Sequence, residues 1–398
     1  MLRLLSEKSE AAIDTAGTAA ANRRERRIRE NGRILVTVST RRPRRPHGHD
    51  AASRTALAQR LAELLGFEFG GEYDAAVHYA RALYFVPDEA LDATVARALG
   101  IHDSSQLFGG VVPHPFVATK AITHPLLHPH ACAPPGWSHA HAGRVQGAIL
   151  RGFTAFSRED AQQAALTLLA DVPVRIKCAS GIGGSGQFVV QSLVDVREAL
   201  AAIDGHEFAK SGVVVEENLD SPMTYSVGLV DTGQLSAAYC GTQQTTRNCH
   251  GGEVYGGSTL DVTRGGFAAL REQEFDDDAR EAIALASRYD EAALQSYDGL
   301  FASRRNYDVV IGTDVKRRRR AGVLEQSWRI GGASGAEILA LEAFKRDPAR
   351  TRMRSATREV YGAPCAVPTG AFVYFNGVDE HAGPLTKFAV EIHDAHAR

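Results

Sequence analysis

The segment that most restricts this chain runs from Val172 to Val190. A short apolar strand ends in Lys177, a loop carries Gly181, Gly183, Gly184 and Gly186, and a second apolar strand begins at Phe188. Successive glycines let a backbone approach phosphate oxygens closely and aim its N–H groups at them, while a lysine on the preceding strand offsets their charge. A strand, a lysine, a glycine turn and a strand therefore read as a lid over phosphates; the alternative is a tight hairpin with a solvated lysine. Arg158 to Ala170 has helical periodicity with Ser157 as its cap, and a second helix is expected from Asp195 to Ile203.

Two later landmarks follow in an informative order. Gly212 to Leu219 is an apolar strand ending in Glu216 and Glu217. A strand end of this kind can read an adenine edge through its backbone donor and acceptor while apolar side chains sandwich the ring. The plainer alternative is an edge strand with solvated glutamates. Further on, Tyr307 to Ile311 and Gly322 to Gly332 read as two strands joined by the basic turn Arg317 to Arg320. Such a hairpin places Asp308 and Glu325 on neighbouring strands, with Ser327 on the face of Glu325 and Arg329 two residues further along it. Hard oxygen donors of this type suit Mg²⁺ on ATP phosphates, and an arginine there suits a transferring phosphoryl group. A surface hairpin with salt-bridged acids is the competing reading.

Taken together, the lysine, glycine-rich loop, strand-end acids, Asp/Glu pair and Glu-x-Ser-x-Arg series resembles the ATP-grasp superfamily over about residues 115–345, and the lid resembles that of biotin carboxylase. The resemblance implies an α/β chain: an N-terminal Rossmann-like subdomain over 32–115, then an ATP-grasp fold of two α+β lobes over 116–345, with its lid at about 150–215. Residues 346–398 are expected as an extension packed on the core, and 1–31 as a disordered or frayed leader. It also implies roles. Lys177 and Lys120 would bind ATP phosphates; Ser180 and the glycines at 181, 183, 184 and 186 would close over them; Glu216, Glu217 and Leu219 would line the adenine hinge. Asp308, Glu325 and Ser327 would hold Mg²⁺, or Mn²⁺ in its place, and Arg329 with Lys177 would be catalytic.

The activity implied is ADP-forming ligation: a carboxylate is phosphorylated to an acyl phosphate that an amine or thiol then attacks. Two departures keep other readings open. Ser327 stands where the family usually has asparagine, and Thr224 to Val230 lacks an acid that many members carry. A small-molecule kinase and a catalytically impaired nucleotide binder are the alternatives. Biotin carboxylase itself does not fit, because only about 55 residues follow Ala343 and no biotin-carrying lysine motif is present.

Elsewhere the sequence is less specific. Arg33 to Ser39 reads as a strand, Ala51 to Leu65 as a helix, Phe67 to Phe69 and Ala82 to Val86 as short strands, and Asp88 as the cap of a helix through Leu99, with no Gly-x-Gly-x-x-Gly among them. Gly331, Gly332 and Ser334 enter a helix whose N–H groups could hold a substrate carboxylate, or form an ordinary glycine-rich helix entry. Arg247, with Asn248, His250 and Glu253, is placed on a loop facing the same cleft. The histidines at 124, 128, 130, 139 and 141 with Cys132 suggest zinc but match no closed finger, so a solvated loop is the default. Ala371 to Phe375 and Lys387 to Ile392 read as a terminal hairpin.

A net charge of -2 gives no global attraction to nucleic acid or an anionic membrane, and no segment approaches the roughly 20 apolar residues of a span. Five cysteines in unrelated contexts resemble no disulfide framework. The sequence thus points to a cytoplasmic protein with small-molecule partners, without nucleic acid or membrane, and with a homodimer left open.

Overall fold

The computed structural model describes residues 32–40, 48–181, 186–362 and 365–393. Residues 1–31, expected as a leader, and the loop glycines Gly183 and Gly184 lie outside them. Among the described residues no helix is long and apolar enough to cross a membrane.

The chain opens as β1 (Ile34–Val38), α1 (His49–Leu65), β2 (Glu68–Glu72) and β3 (Leu83–Pro87). These strands form a parallel sheet in the order β2-β1-β3, and the middle strand is wholly buried. A buried central strand explains the unbroken apolar run in β1, since both its faces are covered. α1 ends at Gly66, whose φ of 72° supplies the left-handed cap. Next come β4 (Leu91–Asp92), α2 (Ala93–Ala98) and β5 (Gly110–Val112). The expected helix cap is corrected here. Asp92, not Asp88, caps α2, accepting from the Thr94 N–H; Asp88 accepts from the Thr40 N–H and hydroxyl and ties down the end of β1 instead.

A four-stranded sheet in the order β6-β9-β7-β8 follows, built from β6 (Gly152–Ala155), β7 (Val174–Cys178), β8 (Gln187–Val190) and β9 (Val213–Glu217) after α3 (His139–Val145). α4 (Arg158–Leu169) and α5 (Leu193–Ala202) cover one face of it with alanines and leucines, and α6 (Gly205–Lys210) leads into β9. Ser157 caps α4, and Ser192 with Asp195 makes a capping box on α5, so this helix starts two residues before the expected Asp195.

The largest sheet has eight strands in the order β15-β14-β10-β11-β12-β16-β18-β17. It comprises β10 (Asp220–Asp231), β11 (Ser236–Arg247), β12 (Glu253–Arg264), β14 (Arg304–Thr313), β15 (Arg319–Ser327), β16 (Arg352–Tyr361), β17 (Phe372–Asp379) and β18 (Gly383–Glu391). Between β12 and β14 lie α7 (Phe267–Arg271), α8 (Asp277–Ser296) and the short β13 (Phe301–Ala302), which pairs with β5. α8 lays a stripe of Ala282, Ile283, Ala286, Tyr289 and Ala293 against the sheet, the period of a helix with one buried face. α9 (Ser334–Arg346) is buried nearly all round, sharing one core with α1 and with strands β12, β16 and β18. The C-terminal segment therefore supplies three strands of the main sheet. Its hairpin tip also reaches the first helix, where Asp379 accepts the His49 N–H at 2.8 Å. Burial disfavours the charge on Asp379, but backbone N–H groups outweigh it and hold the carboxyl down at about 2.

Candidate active-site cleft

A cleft of about 1220 Å³ opens between the four-stranded sheet, the eight-stranded sheet and the N-terminal helix α1. Its floor is the β14–β15 hairpin. Alternation along β14 divides the side chains: Arg305 and Tyr307 go to Asp290 on α8, while Arg304, Asn306 and Asp308 go to the cleft side. On β15, Glu325 pairs directly with Asp308, and Ser327 with Asn306. Asp308 accepts from Gln243 Nε2 at 2.6 Å and Asn306 Nδ2 at 3.0 Å. Desolvation, reinforced by the charge of Glu325, pushes its carboxyl up to about 7. A hard cation between these carboxylates would remove that penalty.

The donor set fits Mg²⁺. Two carboxylates and a hydroxyl share one face, and magnesium characteristically takes one or two carboxylates together with phosphate oxygens and water. Among the described residues no three His, Cys, Asp or Glu side chains form a complete protein cage. Phosphates would be needed to finish the coordination.

Two lysines reach the cleft from the other side. Lys177, on β7, forms an ion pair with Glu216, on β9. Lys120 pairs with Glu325 at 2.8 Å and donates to the Gly181 carbonyl at 2.6 Å, joining the floor to the turn after β7. Both lysines are buried. Beside them Leu150, Leu219, Val310 and Leu324 make a small apolar cluster that lines the cleft. Gly322 permits it: a Cβ there would lie 2.5 Å from the Leu150 N, so any side chain would push Leu150 off β15. The carboxylates of the strand-end acids are occupied. Glu216 is held by Lys177, and Glu217 accepts the Arg151 N–H at 3.1 Å with Arg320 at 3.4 Å. Leu219 N–H takes no backbone acceptor among the described residues.

The structure gathers Lys120, Lys177, Glu216, Glu217, Leu219, Asp308, Glu325, Ser327, Arg329, Gly331 and Gly332 around the cleft, but some for other reasons than the sequence suggested. β15 ends at Ser327, so strand alternation does not aim Arg329; its Nε lies 3.4 Å from Glu89 and its Nη1 donates to the Ile330 carbonyl. Gly332 must be small because the Tyr255 ring lies where a Cβ would be, 2.5 Å away.

Five of the expected residues do not line the cleft, Gly181 among them, whose carbonyl takes Lys120. Ser334 is buried and its hydroxyl accepts the Gly331 N–H at 3.0 Å, closing the turn. Arg247 is at the end of β11 and turns back to donate to the Gly251 carbonyl; of its expected neighbours only Glu253, its partner across the β11–β12 ladder, lines the cleft. Ser180 gives its hydroxyl to Glu207 at 2.6 Å. Gly186, at φ 67°, turns the chain back so that its carbonyl accepts the Cys178 N–H. The basic turn is spent on acids: Arg318 on Asp314 and Asp171, Arg319 on Asp278 and Glu281, Arg320 on Glu217 and Asp314.

Sequence reasoning missed two groups. Arg304, almost fully buried, makes paired bonds to Glu337 on α9 and donates to the carbonyls of Ser327 and Arg329 at 3.0 and 2.6 Å, fixing the chain where β15 ends. Its two-residue spacing from Asn306 and Asp308 was the available signal. The far end of the cleft is lined by Ser53 and Arg54 of α1 with Glu359 and Lys387 of the C-terminal strands. No local pattern links residues so far apart.

A sequence model of the family described as "Protein of unknown function (DUF3182)" matches residues 36–389. The chain belongs to this family. No curated protein matches it by sequence. Among solved structures, the DUF3182 chain is similar to N5-carboxyaminoimidazole synthase from Aspergillus clavatus in complex with ADP and 5-aminoimidazole ribonucleotide, at 13% identity and a TM-score of 0.52, over 92% of this chain and 95% of that one. Biotin carboxylase from Campylobacter jejuni aligns at 12% identity and a TM-score of 0.49, over 90% and 87% of the two chains. The DUF3182 chain has the ATP-grasp fold, α/β with its N-terminal parallel layer and two α+β sheets.

Proposed function

We propose that this protein binds Mg-ATP in the cleft and transfers its γ-phosphoryl group to a carboxylate, leaving ADP, and that an amine or thiol then attacks the acyl phosphate with release of inorganic phosphate. The observation that carries the reading is the opposition of Asp308 and Glu325 on paired strands beneath two buried lysines, Lys120 and Lys177. Fixed charges of both signs, held in a cleft before any ligand arrives, are what electrostatic catalysis of phosphoryl transfer requires. The Aspergillus relative with ADP bound supports the nucleotide part of the reading.

In this scheme adenine lies against Leu150, Leu219, Val310 and Leu324, with the Leu219 N–H facing its edge. Lys177 and Lys120 take phosphate oxygens, and Asp308, Glu325 and Ser327 hold magnesium, which supplies charge neutralisation at the transferring phosphoryl group. Arg329, at the end of the floor, stands where the acyl phosphate would form. The acceptor then enters from the far end, between α1 and the C-terminal strands. A cleft of about 1220 Å³ exceeds the 300–1,000 Å³ typical of one ligand, which leaves room for a second.

A pure nucleotide binder is the second reading, favoured by the serine at position 327 and by Lys120 resting on Glu325. ADP release from ATP, screened over pairs of small acids with amines or thiols, separates the two. Turnover that disappears in Asp308→Ala supports the ligase; nucleotide binding without turnover in any pair supports the binder.

A further inference from the structure

Beneath the lid three charged or ionisable groups stand in a row, of which nucleotide binding would use only the first. Glu216, almost wholly buried, takes Lys177 on Oε1 and His124 Nε2 on Oε2, the latter at 3.0 Å. His124 belongs to the histidine-rich tract that suggested zinc. Thr154 pins this segment to β6 by donating its hydroxyl to the Ala121 carbonyl at 2.7 Å and its N–H to the Pro125 carbonyl at 2.8 Å. Gly152 makes room for the imidazole, since a Cβ there would lie 2.8 Å from the ring. The ring is buried and its Nδ1 has no hydrogen-bond partner among the described residues.

The chemistry of the row is fixed by Glu216. An ionised carboxylate only accepts, so Nε2 carries the hydrogen and, in the neutral ring, Nδ1 holds a free lone pair. Burial alone would raise the Glu216 carboxyl, but Lys177 and then His124 outweigh it and hold it down at about 2. Arg175 also stands opposite Glu216 on the β7–β9 ladder, but its guanidinium is bonded to Asn218 and Gln187. If Lys177 turns toward nucleotide phosphates, Glu216 loses the cation that does most to offset its burial. A buried carboxylate stripped of its partner is strongly destabilised.

Resting on the nucleotide reading above, we propose that His124 is a positioning residue that releases Lys177 to the nucleotide. As Lys177 moves to the phosphates, one proton from solvent joins His124 Nδ1, and the imidazolium becomes the counter-charge of Glu216. No other bond is made or broken.

Calorimetry with Mg-ADP at pH 7.5, repeated in buffers of different ionisation enthalpy, reads the protons taken up per nucleotide. Wild type is expected to take up on the order of one proton more than His124→Gln, whose amide can still donate to Glu216 but cannot gain charge. Taking the difference cancels protons exchanged at Asp308 or on the nucleotide. Equal counts with binding intact overturn the role of His124 alone. Absence of binding in wild type overturns the nucleotide reading and this proposal with it. Should His124→Gln fail to fold, Glu216→Gln is measured in its place: it removes the charge to be balanced, so the extra proton must vanish, and its retention contradicts the proposal.

Discussion

The two ends of the cleft are built on opposite electrostatic plans. At the end under the lid, Asp308 and Glu325 face each other with Lys120 bonded to only one of them, and Asp308 is driven up to about 7 by desolvation and its neighbour. At the far end the charges already compensate: Lys387 lies 3.1 Å from Glu359, and Arg54 bonds the Ser39 hydroxyl at 2.6 Å with Asp88 at 3.8 Å. An uncompensated end gains free energy from a ligand that brings missing charge. A compensated end can only select, by shape and by exchange of partners. Under the proposed function, the difference would assign binding energy to one end and discrimination to the other.

That division can be broken at several points. The largest effect is expected from the support beneath both ends, the buried Arg304–Glu337 pair. Arg304→Ala should cost about 3–5 kcal/mol, because the carboxylate left behind has no cation; denaturant unfolding reads it, and a loss under 1 kcal/mol would mean that the pair does not hold the end of β15. Next, Asp308→Asn should lower turnover by about 10²–10³-fold, the usual loss when a fixed charge at a transition state is removed. Lys387→Met at the far end should leave nucleotide affinity within about twofold and act on the acceptor alone; an equal loss at both would erase the distinction between the ends.

A smaller effect joins the N-terminal helix to the C-terminal hairpin. Asp379, held at about 2 in the folded protein, contributes stability that is fully present above the unfolded carboxylate value and is lost as pH falls through about 2. Asp379→Asn should therefore destabilise by about 1–2 kcal/mol at neutral pH and converge with wild type in acid. Smallest of all, Arg319→Ala breaks two surface ion pairs, with Asp278 and Glu281, and should change stability by no more than about 1 kcal/mol.

Legibility in sequence followed the same line. The lid end was readable because its parts are local: Lys177 and the glycine turn are neighbours in the chain, and two-residue alternation brings Asp308, Glu325 and Ser327 onto one face. Alternation failed one step later, at Arg329, because the strand stops at Ser327 and the Gly331 turn, tied by the Ser334 hydroxyl, sets a new direction. Arg247 failed because its guanidinium turns back to the Gly251 carbonyl, a contact that strand alternation does not foretell. The far end was not readable at all. Ser53 and Arg54 meet Glu359 and Lys387 only because the C-terminal strands complete the main sheet and Asp379 hooks onto α1, a long-range pairing that leaves no periodic trace.

The central claim, that the lid end is a Mg-ATP site, is tested most directly by calorimetric titration of ATP with and without magnesium into wild type, Lys177→Ala and Glu325→Ala. The account predicts binding that requires magnesium and is weakened about tenfold or more by each substitution. Binding that ignores magnesium and survives both substitutions, or no binding to wild type, would contradict it.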